Sequence, residues 1–314
     1  TIVRLTLDET GEHTLGERIQ SFTLRVEGAS FDNGTAERTF TVGESGTYEM
    51  LFPQGSNPEA LSGKEVTITY DSEHALLTKR FTLPEITPEA VNTVTLPGVP
   101  YLLSEDFSTV ESFDIDTSNT LSVTSSGSNT ASTLSQLPAN ASTSWTGARC
   151  GVEAGKSLRL CSRNECAALT RGSYHGRLDS PNLEALKGSC RIVVRFNYSM
   201  ARSSNHGNML QPYLAAGIAD DATRDATSNV WSSSAGTILQ YNIPAVIYDL
   251  NDGGALDGSY DNVTRPAEFT TTATPAHRIV WEAYMQSGEP REAFKYYYSN
   301  NWVYIDNITV SIAE

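Results

Sequence analysis

The feature that most constrains this chain is a slip in side-chain alternation near its C-terminal end. From Glu292 to Ile312 the sequence reads EAFKYYYSNNWVYIDNITVSI, two runs rich in β-branched and aromatic residues around Ser299-Asn300-Asn301. Such residues favour paired strands, and short polar side chains tolerate turn dihedrals, so the segment is predicted to be a β-hairpin. In its second run Val303 and Ile305 keep a period of two, and so do Ile308, Val310 and Ile312, but the two series are out of phase by one residue. A β-bulge at Asp306-Asn307 puts both series on one buried face and turns the Asp306 carboxylate sideways, toward a sheet edge or rim.

Composition agrees with sheet throughout. The 314 residues exceed one usual core and point to about two domains. Gly (23), Pro (13), Ser, Thr and Asn are abundant, while long stretches with helical apolar spacing are nearly missing, so the expected class is all-β, built of two β-sandwich domains. A formal charge of −15, spread over both halves, argues against nucleic acid as a partner, because phosphate binding needs concentrated Lys and Arg. No apolar run reaches the ~18 residues of a membrane-spanning helix. The opening TIVRLTL is strand-like and carries no leader pattern, which leads to the expectation of a trimmed, exported form whose leader, and any lipid anchor with it, is gone.

Residues 1–97 read as the first domain. Short strands are predicted at Ile2 to Leu7, Ile19 to Val26, Thr39 to Val42, Tyr48 to Phe52, Glu65 to Tyr70, Leu76 to Leu83 and Val91 to Leu96, between turn signals such as Asn33-Gly34. Seven short strands in about a hundred residues suit an immunoglobulin-like or transthyretin-like sandwich. The segments GTYEMLFPQG (Gly46 to Gly55), SGKEVTITY, TKRFTLPE and VNTVTLPG together resemble the N-terminal sandwich of fimbrillin-type surface proteins of Bacteroidetes. Pro97-Gly98-Val99-Pro100 is a hinge signal, since proline fixes φ and glycine frees it.

The second domain is placed at 101–314. The tract Asp116 to Thr146 is dominated by Ser, Thr and Asn and reads as a long surface loop. Strands are predicted at Lys156 to Leu160, Gly176 to Ser180, Cys190 to Met200, Met209 to Ile218, Thr237 to Tyr241, Val246 to Leu250 and Arg278 to Met285, before the terminal hairpin. In Cys190 to Met200 the apolar Ile192, Val194, Phe196, Tyr198 and Met200 alternate with Arg191, Val193, Arg195, Asn197 and Ser199, one face buried and one in water. SEDFS near the start, LRL and GRLDSPNL in the middle, and WVYIDNITVS at the end resemble the jelly-roll domains of secreted Bacteroidetes proteins and of carbohydrate-binding modules.

Two constellations stand out. Glu105, Asp106 and Asp306 are candidate ligands for a structural calcium, because a bulge frees backbone carbonyls that can join carboxylates around such an ion. The resemblance to carbohydrate-binding jelly rolls implies the same pairing, an acid near the first strand with an Asp in the last. The competing reading has Asp306 bonding turn amides and Glu105 and Asp106 as solvated edge charges. The second constellation is an aromatic platform for sugar stacking: with Val303 and Ile305 inward, Trp302 and Tyr304 point outward, with Tyr297 across the hairpin, and Arg191, Arg195, Glu282 or Asn197 could bond hydroxyls. The competing reading packs these rings under long loops or against the first domain.

Other signals are weaker. The acidic run Asp249 to Asp261 lacks the alternating spacing of a calcium loop and reads as a turn-rich loop. Cys150, Cys161, Cys166 and Cys190 lack zinc spacing and are either disulfides or buried thiols. His13, His74, His175, His206 and His277 are scattered, and no nucleophile elbow or phosphate-binding loop occurs. The expectation is an exported, non-enzymatic cell-surface or periplasm-facing protein that binds a glycan or a surface protein. Its alternatives are a structural component of the envelope or of a fimbria-like appendage, and a polysaccharide-active enzyme.

Overall fold

A computed structural model describes residues 2–7, 14–43, 46–51, 61–87, 90–109, 145–148, 150–153, 157–161, 176–202, 212–220, 238–247, 265–285 and 301–313. The protein is all-β and built of β-sandwiches. It divides into two compact units: Thr1–Leu103 with the short segments Ala185–Ile192 and Val310–Glu314, and Ser104–Glu184 with Val193–Thr309.

The first unit contains β1 (Ile2–Thr6), β2 (Ile19–Val26), β3 (Glu37–Thr41), β4 (Thr47–Leu51), β5 (Glu65–Ser72), β6 (Leu76–Thr82) and β7 (Val91–Thr95), within a few residues of the seven predicted strands. They form a three-stranded sheet, β4-β1-β7, and a four-stranded antiparallel sheet, β3-β2-β5-β6. Alternation decides what each strand buries. Phe22, Leu24 and Val26 of β2 and Val66, Ile68 and Tyr70 of β5 lie in the core, with Val3 and Leu5 from the other sheet. Phe22 stacks on Phe40 at 5.0 Å and meets Tyr48 edge-on at 4.8 Å. Each such side chain contributes about 1.5–3 kcal/mol by leaving water. The Tyr70 hydroxyl donates to the Pro97 carbonyl, and burial pushes its phenol pKa upward.

A polar knot fastens one end of this unit. The Glu17 carboxylate accepts from the His74 amide at 3.0 Å and lies 2.9 Å from its ring Nδ1, and the Lys187 ammonium bonds Asp71 and the Ser72 carbonyl. Burial alone would raise the Glu17 pKa, but hydrogen bonds from Ser72 and His74 outweigh it and hold the carboxyl below its ordinary value. A depressed folded-state pKa means stability present above the unfolded pKa and lost as pH falls through the folded one. Urea midpoints should therefore fall less steeply in Glu17→Gln than in the parent protein as pH drops below about 4.3.

The second unit is built from β8 (Leu103–Glu105), β9 (Thr146–Ala148), β10 (Cys150–Glu153), β11 (Ser157–Cys161), β12 (Gly176–Asn182), β13 (Cys190–Arg202), β14 (Pro212–Asp220), β15 (Ile238–Ile247), β16 (Arg265–Ala273), β17 (His277–Met285) and β18 (Asn301–Ile312). Some of these strands have end residues that belong to the first unit. One sheet runs β10-β11-β18-β13-β16 with β8 also on β18, and the other runs β15-β14-β17-β12-β9.

Two predicted strands, Thr237 to Tyr241 and Val246 to Leu250, are in fact one, β15. Pro244 does not end it because β15 is last in its sheet, and the register to β14 slips there: Leu214 faces Val246 but Ala216 faces Ile243. The predicted loop through Thr146 ends one residue early, since Thr146 opens β9; residues 110–144 lie outside the described residues. The first arm of the terminal hairpin lies outside them too.

Candidate functional site

The backbone turns left-handed at Asn307, where the bulge is expected. Val303, Ile305, Ile308, Val310 and Ile312 are all buried, Asp306 is half-buried, and Asn307 is exposed with φ +50°. Pairing with β11 ends at Ile305, opposite Leu158, so the phase slip falls directly beyond it. Asn is among the few residues that enter the left-handed region without large cost, and it is what lets β18 skip one position. The Asn307 amide donates to Asp306 Oδ1 at 2.7 Å, and its side-chain Nδ2 to Oδ2 at 3.2 Å.

The second acidic element is the turn after β8. Glu105 is buried, and its Oε1 accepts from the Phe107 amide at 2.6 Å. Asp106 Oδ1 accepts from the Ser108 amide at 2.9 Å and its hydroxyl at 2.6 Å, an Asx turn. Phe107 has φ +54°, costly for a bulky side chain, and it is held there by burial: its ring meets Trp145 edge-on at 6.2 Å, Trp145 stacks on Trp281 at 6.3 Å, and Trp281 meets Phe196 at 5.9 Å. The strained turn is anchored in an aromatic core.

Glu105, Asp106 and Asp306 act on one another electrostatically. Burial pushes the Glu105 pKa up, with the Asp106 and Asp306 charges adding to the rise against hydrogen bonds from the Phe107 and Asp106 amides. Asp306 is raised by burial and by Asp106, against the Asn307 amide. Asp106 is lowered by the Ser108 hydroxyl and amide. Two carboxylates disfavoured as anions by burial and by like charge suit a hard cation. Among the described residues no three acidic, His or Cys side chains converge closely enough to cage an ion unaided. Of the competing reading, the bond from a turn amide to Asp306 and the exposure of Asp106 are present, whereas Glu105 is buried and is no solvated edge charge.

The aromatic platform needs correction at Tyr304, which is only 4% exposed. Val303, Tyr304 and Ile305 are buried in succession, so both faces of β18 are covered at this point and Tyr304 has no ring face to offer a ligand. Trp302 is placed on β18 opposite Cys161, and Glu282 on β17 opposite Arg177 and Ala215, as backbone positions only; Tyr297 lies outside the described residues. On β13 the expected alternation holds as far as Tyr198: Ile192, Val194, Phe196 and Tyr198 are buried and Arg191 and Arg195 exposed, but Ser199, expected on the wet face, is buried. Arg195 Nε bonds Glu268 of β16 at 2.6 Å. Glu268 and Phe107 were not singled out from the sequence; Asn307 was, as half of the expected bulge, and Asn beside a phase slip is itself a signal for positive φ.

Cys190 is a buried free thiol whose pKa is raised by burial and by Glu17, so the thiol reading holds for this residue. The side chains of Cys150 and Cys161, all of Cys166 and the run Asp249 to Asp261 lie outside the described residues. No described helix is long and apolar enough to cross a membrane.

No protein-family model matches the sequence, and no curated protein matches it. Among solved structures, the K3 cleaved adhesin domain of Lys-gingipain from Porphyromonas gingivalis is similar over 67% of this chain and 99% of its own, at 11% identity and TM-score 0.29. The CBM22-1-CBM22-2 tandem domain of Paenibacillus barcinonensis Xyn10C is similar over 93% of this chain and 77% of its own, at 10% identity and TM-score 0.32. The secreted serine protease VesC from Vibrio cholerae follows at 9% identity and TM-score 0.24, over 95% and 48%. No residue correspondence follows from likeness at this level.

Proposed function

We propose that this chain is an exported surface-recognition protein that binds a glycan, or a glycan-bearing surface, without changing it chemically. The observation that supports this most directly is the outer face of β13 and β16. Arg195 and Glu268 are held there by strand ladders, 2.6 Å apart and each about half exposed, so donors and an acceptor stand side by side as sugar hydroxyls require. In the proposal Trp302, on the strand next to β13, supplies the stacking ring and Tyr297 and Arg191 complete the set; Tyr304, which is buried, and Glu282, on a strand of the other sheet, are left out. The chain works at the cell surface or facing the periplasm.

A glycan array read with the parent chain, Trp302→Ala and Arg195→Ala tests this reading. Each substitution should cost about tenfold in affinity for whatever the parent binds. Equal binding by parent and Trp302→Ala, or none by either, removes the platform. An assembly role is the second reading. It is favoured by Ile2 and Val91, facing each other across β1 and β7 and 38% and 54% exposed, with Leu51 opposite Ile2 on β4. Self-association that is lost in Val91→Glu, without glycan binding, would put assembly first.

A structural calcium at Glu105, Asp106 and Asp306 belongs to the same proposal, with backbone carbonyls and water completing its shell. The raised pKa values of Glu105 and Asp306 set the sign. Without metal, these groups give stability that is complete below their unfolded pKa and lost as pH rises through the folded one. Calcium should restore it at neutral pH, by about 2.7 kcal/mol at a hundredfold excess over Kd, and by much less near pH 4, where protons compete. Thermal unfolding with calcium and with chelator measures this. Asp306→Asn should abolish the gain, and an unchanged midpoint in the parent removes the metal.

A further inference from the structure

The first unit has a surface feature that neither the acidic turn nor β18 touches. The outer face of β3-β2-β5-β6 forms a trough of about 900 Å³. Strand register lays its side chains in rows: Thr39, Thr23, Thr69 and Thr78 stand level across the four strands, and Glu37, Arg25, Thr67 and Arg80 form the next row. At ~4.8 Å between strands each row is roughly 14 Å long.

The chemistry of this lining is narrow. The one apolar residue larger than alanine at its rim, Val26, turns its side chain into the core, so the trough offers no anchor for an aromatic or aliphatic ligand. Its charges, Arg25 and Arg80 against Glu27, Glu37 and Glu65, nearly cancel on a chain of −15, which disfavours polyanions. What remains are groups that donate and accept together. Thr23 and Thr39 hydroxyls lie 2.8 Å apart, and Thr69 and Thr78 hydroxyls 3.3 Å. The pairs Arg25–Glu37 and Arg80–Glu65 are loose, at 4.0 and 3.4 Å, and largely in solvent. A hydroxyl placed between such partners accepts from the guanidinium and donates to the carboxylate at once, with little rearrangement.

We infer that this trough is a second binding site, for a neutral oligosaccharide lying across the strands along the threonine row. It is independent of the site proposed on β13 and β18, and either can fail alone. The test uses the full chain and neutral oligosaccharides built on glucose, galactose, mannose and xylose, read by calorimetry and by amide chemical shifts. Binding to at least one should perturb amides of β2 and β5. Arg25→Ala with Arg80→Ala, and separately Thr23→Val with Thr69→Val, should weaken it about tenfold, while Arg4→Ala, which opens an exposed ion pair on the other sheet, leaves it unchanged. The inference is overturned if no neutral oligosaccharide binds, if only anionic ones do, or if shifts are confined to β13, β16 and β18. A folded Thr23→Val/Thr69→Val chain that retains full affinity also overturns it; should that chain not fold, the shift map of the parent decides.

Discussion

Gly16→Ala should destabilise the first unit by roughly 4 kcal/mol, the combined cost of a left-handed backbone and of overpacking. Gly16 has φ +87°, and a Cβ there would sit 1.9 Å from the carbonyl oxygen of Ile312. The obstacle is backbone, so no rotamer change relieves it. Retreat is blocked as well, because the Ile312 amide donates to the Leu15 carbonyl at 2.6 Å, fastening the two segments at that point. Gly34 is the matched control: φ is +79°, and nothing lies within 4 Å of its added Cβ, so Gly34→Ala should cost only about 1–2 kcal/mol. Urea unfolding of the two variants separates steric from backbone cost. Equal losses would mean that the Ile312 segment yields, and that the close approach is no constraint on the fold.

How much of this was legible in the sequence depends on which side chains carry each strand. β2, β5 and β13 announce themselves because Phe22, Leu24, Ile68, Val194 and Phe196 are large and alternate with polar residues. β16 was missed because its inward positions are Phe269, Thr271 and Ala273 between Glu268, Thr270 and Thr272; two of three core residues are small or polar, so periodicity fades. β8, β9 and β10 are too short for any period, and their existence depends on neighbouring strands. The strands expected on either side of Pro244 are one, because a register shift in an edge strand accommodates the proline. The phase slip at Asp306-Asn307 was legible because five apolar residues frame it. Burial of Tyr304 was not, since alternation assigns a residue to a face and says nothing about whether a further layer covers that face. The meeting of Glu105, Asp106 and Asp306 needed the resemblance to place acids some two hundred residues apart together; local pattern cannot do that.

Trp281→Ala should cost about 3–5 kcal/mol, and the loss should reach the acidic turn. Trp281 is fully buried, stacked on Trp145 and edge-on to Phe196, and Trp145 carries the Phe107 ring. Removing the indole leaves a cavity that takes support from Trp145 and then from Phe107, whose positive φ persists only while its ring is held. A relaxed Phe107 no longer presents its amide to Glu105, so the calcium-linked gain in melting temperature proposed above should, where it exists, shrink along with the baseline stability. Trp281→Phe should behave differently. Among the described residues the Trp281 Nε1 has no hydrogen-bond partner, so Phe removes a buried orphan donor while keeping an aromatic ring, and the net cost should be about 1 kcal/mol or less. Chemical denaturation with and without calcium distinguishes the outcomes. If Trp281→Ala loses stability yet keeps the full calcium gain, the aromatic stack supports only the core, and the Glu105 turn holds its geometry through its own hydrogen bonds.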